Sequence, residues 1–156
     1  MRTGRRLAVD VGKVRIGIAI CDREAILSSP LDPVARLSNA SETVASIADL
    51  VATHGVIEVY VGDPLSLSGK ATDSTNDARS FALELSTSVS VPVRMIDERL
   101  TTVSATAKLR ASGISAKDSK SIIDSASAAE ILESALSYEK SSGLAPGHLV
   151  GDSVGA

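Results

Sequence analysis

The chain is poor in aromatic residues and in cysteine. Of its 156 residues none is Trp, one is Phe and two are Tyr. Proteins that bind single-stranded nucleic acid usually stack the bases on aromatic side chains, so this composition argues against such a platform. The single cysteine, Cys21, excludes an intrachain disulfide and a structural zinc site, and it favours a cytoplasmic protein. Two alternatives stay open for Cys21: burial as a small apolar side chain, or an intermolecular disulfide between two copies.

Long apolar runs and an excess of positive charge are also missing. No segment approaches the roughly eighteen apolar residues of a transmembrane helix, and the N-terminus does not resemble a secretory signal, so we expect no membrane partner. The net charge is −3, so binding to nucleic acid would need a local basic patch. The candidates for this patch are Arg2, Arg5, Arg6, Lys13 and Arg15 near the N-terminus, and Arg94, Arg99, Lys108 and Arg110 later in the chain.

The pattern of apolar residues predicts one α/β domain over residues 1–140, followed by a flexible tail at 141–156 that is rich in Gly, Ser and Pro. Three short strand-like runs open the chain and predict an antiparallel meander. Helices and strands then alternate, which predicts a mixed five-stranded sheet, the meander plus parallel strands, flanked by helices. The predicted elements are strands 5–12, 15–22 and 25–33, helix 39–53 capped by Ser41, strand 56–62, helix 75–87, strand 91–98, and helices 102–112 and 119–140. The two histidines, His54 and His148, have no partner nearby in the sequence, and we assign both to the surface.

Three acidic residues conflict with their surroundings. Asp10 interrupts the apolar strand "LAVDVG", and Glu98 follows the strand that ends in "RMIDE". Asp124 lies on the same helical stripe as the apolar residues Ala128 and Ile131, so it is expected to point toward the body of the protein. Carboxyl ends of strands in α/β sheets are where ligands bind, and a helix that brings a third carboxylate to that edge would complete an acidic cluster.

An acidic cluster of this kind needs a counter-charge. Three neighbouring carboxylates raise one another's pKa values unless cations hold them ionised. Oxygen ligands without His or Cys suit Mg²⁺ or Mn²⁺. Carboxylate-bound pairs of such ions are typical of phosphoryl-transfer chemistry. The residues therefore favour a metal-dependent enzyme that acts on phosphate esters.

Four motifs of the chain, "AVDVGKVRIGIAICD", "VYVGDPLSLSG", "IDERLTT" and "DSASAAEILE", resemble those of the YqgF/RuvX family in order and spacing. The resemblance extends from about Leu7 to Lys140. It implies an RNase H-like fold and hydrolysis of phosphodiester bonds that depends on Mg²⁺ or Mn²⁺. Members are described as pre-16S rRNA nucleases, which implies a role in ribosomal RNA maturation with ribosomal particles as partners, or as Holliday junction resolvases that cut branched DNA.

The resemblance also implies roles for individual residues. The catalytic, metal-binding acids of the family match Asp10, Glu98 and Asp124. Asp63 stands where the family usually has an apolar residue, and we expect it to cap the loop or to be solvated rather than to bind metal. The candidates for contacts to nucleic acid are Lys13, Arg15, Arg99, Lys108 and Arg110. A salt bridge to Asp97 or Glu98 is the alternative for Arg99. The candidates for the backbone of the motif loops are Gly12, Gly17, Gly62, Pro64 and Gly69.

Several functional alternatives stay open at this stage. The chain is expected to be a nuclease of precursor rRNA or of four-way DNA junctions, as a monomer or a homodimer. A non-catalytic protein that binds RNA or the ribosome is the alternative of another class. A phosphotransferase of the actin or sugar-kinase type also begins with an Asp-x-Gly strand, but a chain of 156 residues lacks the second half of that fold.

Overall fold

The computed structural model describes residues 1–99 and 116–151, and in the last helix it describes side chains from Ser125 onward. The first three strands are β1 (Arg6–Val11), β2 (Arg15–Cys21) and β3 (Ser28–Ala35). They pair antiparallel in sequence order, so the predicted meander is confirmed. The predicted helix 102–112, together with Lys108 and Arg110, lies outside the described residues.

The remaining elements alternate as expected. They are α1 (Ala40–Thr53), β4 (Glu58–Asp63), α2 (Asp73–Ser88), β5 (Val93–Asp97), α3 (Ala116–Ser142) and β6 (His148–Leu149). Strand β4 joins the meander parallel to β1, and β5 extends the sheet parallel to β4. The sheet order is β3-β2-β1-β4-β5-β6.

The sheet has six strands where the sequence predicted five. The sixth strand, β6, comes from the segment predicted as a flexible tail and pairs antiparallel with β5. Its neighbour Val150 donates a backbone hydrogen bond of 2.7 Å to the carbonyl oxygen of Val93. His148 is exposed, as predicted, and His54 is half-buried at the end of α1.

Side chains near the helix starts decide where α1 and α2 begin. The N-cap of α1 is Asn39, whose Oδ1 accepts a hydrogen bond of 3.0 Å from the backbone N–H of Ser41, so the prediction of Ser41 as the cap is wrong. Helix α2 begins after Thr72, which forms a reciprocal capping box with Thr75. The Thr75 hydroxyl also donates to the carbonyl oxygen of Pro64, at 2.6 Å. This bond ties the loop after β4 to the start of α2.

Helices cover both faces of the sheet. Alternate residues of the central strands, such as Leu7 and Val9, pack with α1 and α2 in one apolar core. The intervening residues, such as Ala8 and Tyr60, pack with α3 in a second core. Among residues 1–99 and 116–151, no helix is both long and apolar enough to cross a membrane.

Part of the expected basic patch is instead an internal ion network at the start of the parallel strands. Arg6 is fully buried and binds Glu139 at 2.7 Å. Arg2 binds Glu139 and Glu58, and Arg94 binds Glu58 at 3.0 Å. Although burial alone raises the pKa of Glu58, hydrogen bonds from Arg2, Arg94 and Tyr60 together lower it. Three of the predicted patch residues therefore hold the fold together.

Cys21 belongs to the same end of the sheet. Its side chain is 3% exposed, and its Sγ accepts the backbone N–H of Arg6 at 3.2 Å. Burial raises the pKa of the thiol. An intermolecular disulfide requires an exposed thiol, so the structure favours the first alternative, a small buried side chain.

Candidate active site

Strand register brings Asp10 and Glu98 together at the carboxyl edge of the central strands. Val9 pairs with Val61 across β1 and β4, and Gly62 pairs with Ile96 across β4 and β5. Asp10 and Glu98 therefore flank Gly62 on the α3 side of the sheet. Their side chains are hydrogen-bonded to each other. Two of the three predicted acids thus converge, although they are far apart in sequence.

Glu98 is in an unusual electrostatic environment. Its side chain is largely buried, with 9% of the residue exposed. This burial, followed by the negative charges of Asp10, Asp63 and Asp97, raises the pKa of Glu98 to about 8. A pair of adjacent carboxylates in a partly desolvated position calls for a proton or a cation between them. Strongly perturbed carboxyls in such positions are typical of functional sites.

Gly62 makes room for this carboxyl pair. A Cβ atom built at Gly62 would lie 2.6 Å from Cδ of Glu98 and 2.7 Å from Cδ1 of Ile131 on α3. These separations are well below contact distance, so no larger residue fits without moving Glu98 or the helix. The predicted importance of Gly62 for the loop backbone has a steric reason: the residue provides space for Glu98.

The turn after Asp10 is fixed by Gly12 and Arg36. The backbone N–H of Gly12 donates to the carbonyl oxygen of Arg15 at 3.0 Å, and a Cβ atom at Gly12 would lie 2.5 Å from that oxygen. Arg36 donates to the carbonyl oxygen of Gly12 at 3.0 Å and binds both oxygens of Asp77 on α2, each at 2.7 Å. Sequence reasoning missed Arg36, because nothing in the local pattern after β3 distinguishes it from a solvated arginine.

Helix α3 approaches the strand next to Asp10. Gly17 of β2 pairs with Asp10, and the register between β2 and β3 is irregular around Gly17. The hydroxyl of Ser125 accepts the backbone N–H of Ile18 at 3.2 Å. Asp124 precedes Ser125 on this helix, and its side chain lies outside the described part of the chain. Among the side chains that the structure describes, no group of three acids, histidines or cysteines is arranged to hold a metal ion.

Asp63 has a different environment from the one expected. It is buried at the end of β4 and accepts two hydrogen bonds from Arg79 of α2, Nε to Oδ1 and Nη2 to Oδ2, each 2.9 Å. It neither caps the loop with its side chain nor lies in solvent. The expectation of a loop-capping or solvated Asp63 is therefore wrong. Its partner, Arg79, lies sixteen residues later in the chain, so the local sequence around Asp63 does not reveal the pair.

The other predicted contact residues fall into separate groups. Arg99 binds Asp97, with Nη2 to Oδ2 at 2.6 Å, which matches the salt-bridge alternative. Lys13 is exposed in the turn after β1, and Arg15 is half-buried at the start of β2. Gly69 has a φ of +84°, a conformation that favours glycine, and its position lies against Arg99. Pro64 and Gly69 thus help to shape the loop beside the acids.

The fold is RNase H-like, and the comparison with solved structures agrees. The chain superimposes on a Thermus thermophilus RuvC structure in complex with a Holliday junction substrate with a TM-score of 0.58, at 16% identity over 92% of this chain and 99% of that one. A second structure, Thermus thermophilus RuvC, gives a TM-score of 0.56 at 15% identity, over 91% and 98% of the two chains. At such identities the likeness shows the fold.

The sequence comparisons identify the family. The model of the RuvX family, described as Holliday junction resolvase, matches residues 4–138. A protein of Leifsonia xyli subsp. xyli named "Putative pre-16S rRNA nuclease" is 46% identical over 99% of both chains. Proteins with the same name are 46% identical in Clavibacter sepedonicus, over 96% of this chain and 93% of that one, and in Streptomyces coelicolor, over 94% and 88%. The chain belongs to the RuvX family.

Proposed function

We propose that this protein is a divalent-metal-dependent endonuclease that hydrolyses phosphodiester bonds in the maturation of pre-16S rRNA. The observation that carries the proposal is the hydrogen-bonded pair of Asp10 and Glu98 at the carboxyl edge of the sheet. The relatives named pre-16S rRNA nuclease, which match nearly the whole chain, support the substrate class.

The donor set at this edge fits Mg²⁺ or Mn²⁺. The side chains of Asp10 and Glu98 offer oxygen atoms only, and Glu98 carries a raised pKa that a cation would reverse. We propose that Asp10, Glu98 and Asp124 hold the cation, with the side chain of Asp124 as the third ligand. When bound, such an ion activates water and stabilises the leaving oxygen in phosphoryl transfer.

The chain itself supplies orientation and charge. The Gly12 turn, braced by Arg36, fixes the end of β1 and with it the direction of Asp10. The carboxyl group of Glu98 occupies the space beside Gly62 that a Cβ atom there would need, so the absence of a side chain at Gly62 allows this position of Glu98. We propose that Lys13 and Arg15 contact the phosphate backbone beside this pair, and that Lys108 and Arg110, which lie outside the described residues, also contact the substrate. Such contacts position the substrate without reading its sequence.

The cleavage of four-way DNA junctions is the second candidate, and the description of the matching family model favours it. A junction has two-fold symmetry and suits a homodimer, whereas trimming of an rRNA precursor suits a monomer. We propose the RNA substrate because the full-length relatives carry that name.

A side-by-side assay tests the proposal. Purified protein is incubated with an oligonucleotide that spans the 5′ boundary of pre-16S rRNA and with a synthetic four-way junction, each with Mg²⁺, with Mn²⁺ or with EDTA. We expect metal-dependent cleavage of the RNA and its loss in Asp10→Asn, while Asp49→Asn, which changes an exposed carboxylate on α1, stays active. Exclusive cleavage of the junction would reassign the substrate. Binding without cleavage of either one would favour the non-catalytic alternative.

A further inference from the structure

Two aspartate–arginine pairs lie side by side next to the carboxyl pair. Asp63 at the end of β4 and Asp97 at the end of β5 are register partners. Neighbouring strands are about 4.8 Å apart, and both residues occupy the face of the sheet opposite Glu98. Each aspartate binds the Nε and Nη2 groups of one arginine, Arg79 for Asp63 and Arg99 for Asp97.

The geometry leaves part of each guanidinium available. A guanidinium has five N–H donors, and the two on Nη1 do not take part in these contacts. Within residues 1–99 and 116–151, neither Nη1 group has a hydrogen-bond partner. The side chain of Asp63 is 9% exposed, whereas those of Arg79 and Arg99 are 47% and 37% exposed. Each aspartate thus binds one edge of a guanidinium group, and both arginine side chains are partly exposed.

The charge pattern indicates an anionic ligand. Asp63 and Asp97 are register partners at the same edge of the sheet as the carboxyl pair, so they add negative charge beside an already acidic site. This unfavourable charge is explained if the two aspartates orient the guanidinium groups of Arg79 and Arg99 toward a substrate. An arginine held in place before binding loses less conformational entropy when it binds phosphate. A Cβ atom built at Gly69 would lie 3.1 Å from Nη1 of Arg99, so the glycine in the loop after β4 leaves space beside this guanidinium and bounds the surface on one side.

We infer that Arg79 and Arg99, anchored by the register-paired Asp63 and Asp97, form a two-guanidinium clamp for the phosphodiester backbone next to the cleavage site. The clamp lies on the α2 side of the sheet edge, and the carboxyl pair lies on the α3 side. It therefore binds phosphates that flank the scissile one. Asp63 and Asp97 are positioning residues that act through the arginines. This inference rests on the proposed nuclease function.

The salt dependence of binding tests the clamp. The cleavage-inactive Asp10→Asn protein serves as the parent, and fluorescence anisotropy with a labelled single-stranded RNA from the 5′ boundary of pre-16S rRNA gives the affinity at several KCl concentrations. The logarithm of the association constant falls linearly with log[salt]. Arg79→Ala is expected to make this slope less steep by about 0.7, the value for one lost phosphate contact on a single strand. The affinity should fall by about tenfold, the usual cost of one charged hydrogen bond.

The matched control removes the same charge elsewhere. Arg23 is exposed in the turn between β2 and β3, at the other end of the sheet, and Arg23→Ala should leave the slope unchanged. Arg79→Lys keeps the charge but loses the two-point contact with Asp63, so we expect it to keep the slope and to bind more weakly. If Arg79→Ala does not fold, Arg79→Gln takes its place, with the same expected change in slope.

The outcomes separate the two proposals. If the wild-type protein cleaves its substrate and the Arg79 and Arg99 variants keep the slope of the parent, the clamp is refuted and the nuclease proposal stands. If the wild-type protein neither cleaves nor binds the RNA or the junction, both proposals are refuted. A reduced slope in Arg79→Ala and in Arg99→Ala, with an unchanged slope in Arg23→Ala, supports the clamp.

Discussion

Gly62→Ala is the smallest change that tests whether the position of Glu98 controls activity. The new methyl group would lie 2.6 Å from Cδ and 2.7 Å from Oε2 of Glu98. To relieve these contacts, the carboxyl group of Glu98 must move away from residue 62 by about 0.8 Å or more, because the closest ordinary separations of such atoms are about 3.4 Å. Misplacement of a catalytic group by about 1 Å can cost about a hundredfold in rate.

The same methyl group also approaches the core. It would lie 2.7 Å from Cδ1 of Ile131, a fully buried residue of α3. Overpacking of this kind costs about 1–3 kcal/mol of unfolding free energy. We therefore expect Gly62→Ala to lower stability by that amount, measured by urea denaturation, and to lower the cleavage rate by about a hundredfold.

Gly55→Ala separates the loss of stability from the loss of activity. Gly55 has a φ of +61° and no atom within 4 Å of a Cβ built on it. Alanine there costs about 1–2 kcal/mol through backbone strain alone and touches nothing near Glu98. We expect Gly55→Ala to be destabilised and fully active. If Gly62→Ala cleaves at the wild-type rate, or if Gly55→Ala loses as much activity, the reasoning about Glu98 is refuted.

Three further predictions concern the parts of the fold around the site. Burial alone raises the pKa of Glu58, but its arginine partners lower this pKa below the unfolded-state value of about 4.3. The stability that ionised Glu58 contributes is therefore present above the unfolded-state pKa and is lost as the pH falls through the lower folded-state pKa. Urea denaturation from pH 6 to pH 3 should show a weaker pH dependence for Glu58→Gln than for wild type; identical pH profiles would contradict this. Arg36→Ala removes the bond to the Gly12 carbonyl and should cost about 1–3 kcal/mol and reduce cleavage, whereas an unchanged rate would show that the turn does not position Asp10. Cys21 should react with a thiol reagent only at the rate of unfolding, and rapid labelling of the native protein would contradict its burial.

Much of the fold could be predicted from local sequence patterns. The meander follows from short apolar runs separated by tight turns, and the alternation of helix and strand predicts the parallel part of the sheet. Strand β6 was missed because two residues in a Gly- and Pro-containing segment carry no periodic signal. It forms only because the edge of β5 offers hydrogen-bond partners, among them the carbonyl oxygen of Val93.

The candidate acids Asp10 and Glu98 were visible in the sequence, whereas most of the ion pairs around them were not. Asp10 and Glu98 conflict with apolar strands, and this conflict is visible in the sequence. Arg2 and Arg6 were candidates for a basic surface patch, whereas they bind Glu58 and Glu139 inside the protein. Pairs such as Arg6 and Glu139 are more than one hundred residues apart, so only the folded chain shows which charges neutralise each other.

The most direct test of the central claim is the cleavage rate of the 5′-boundary RNA as a function of Mg²⁺ or Mn²⁺ concentration for wild type, Asp10→Asn and Glu98→Gln. We expect the wild-type rate to rise from zero in EDTA to a plateau, and both variants to lose at least a hundredfold at every metal concentration. Wild-type rates in either variant, or a wild-type rate that EDTA leaves unchanged, would contradict the assignment of the Asp10–Glu98 pair as the metal-binding catalytic centre.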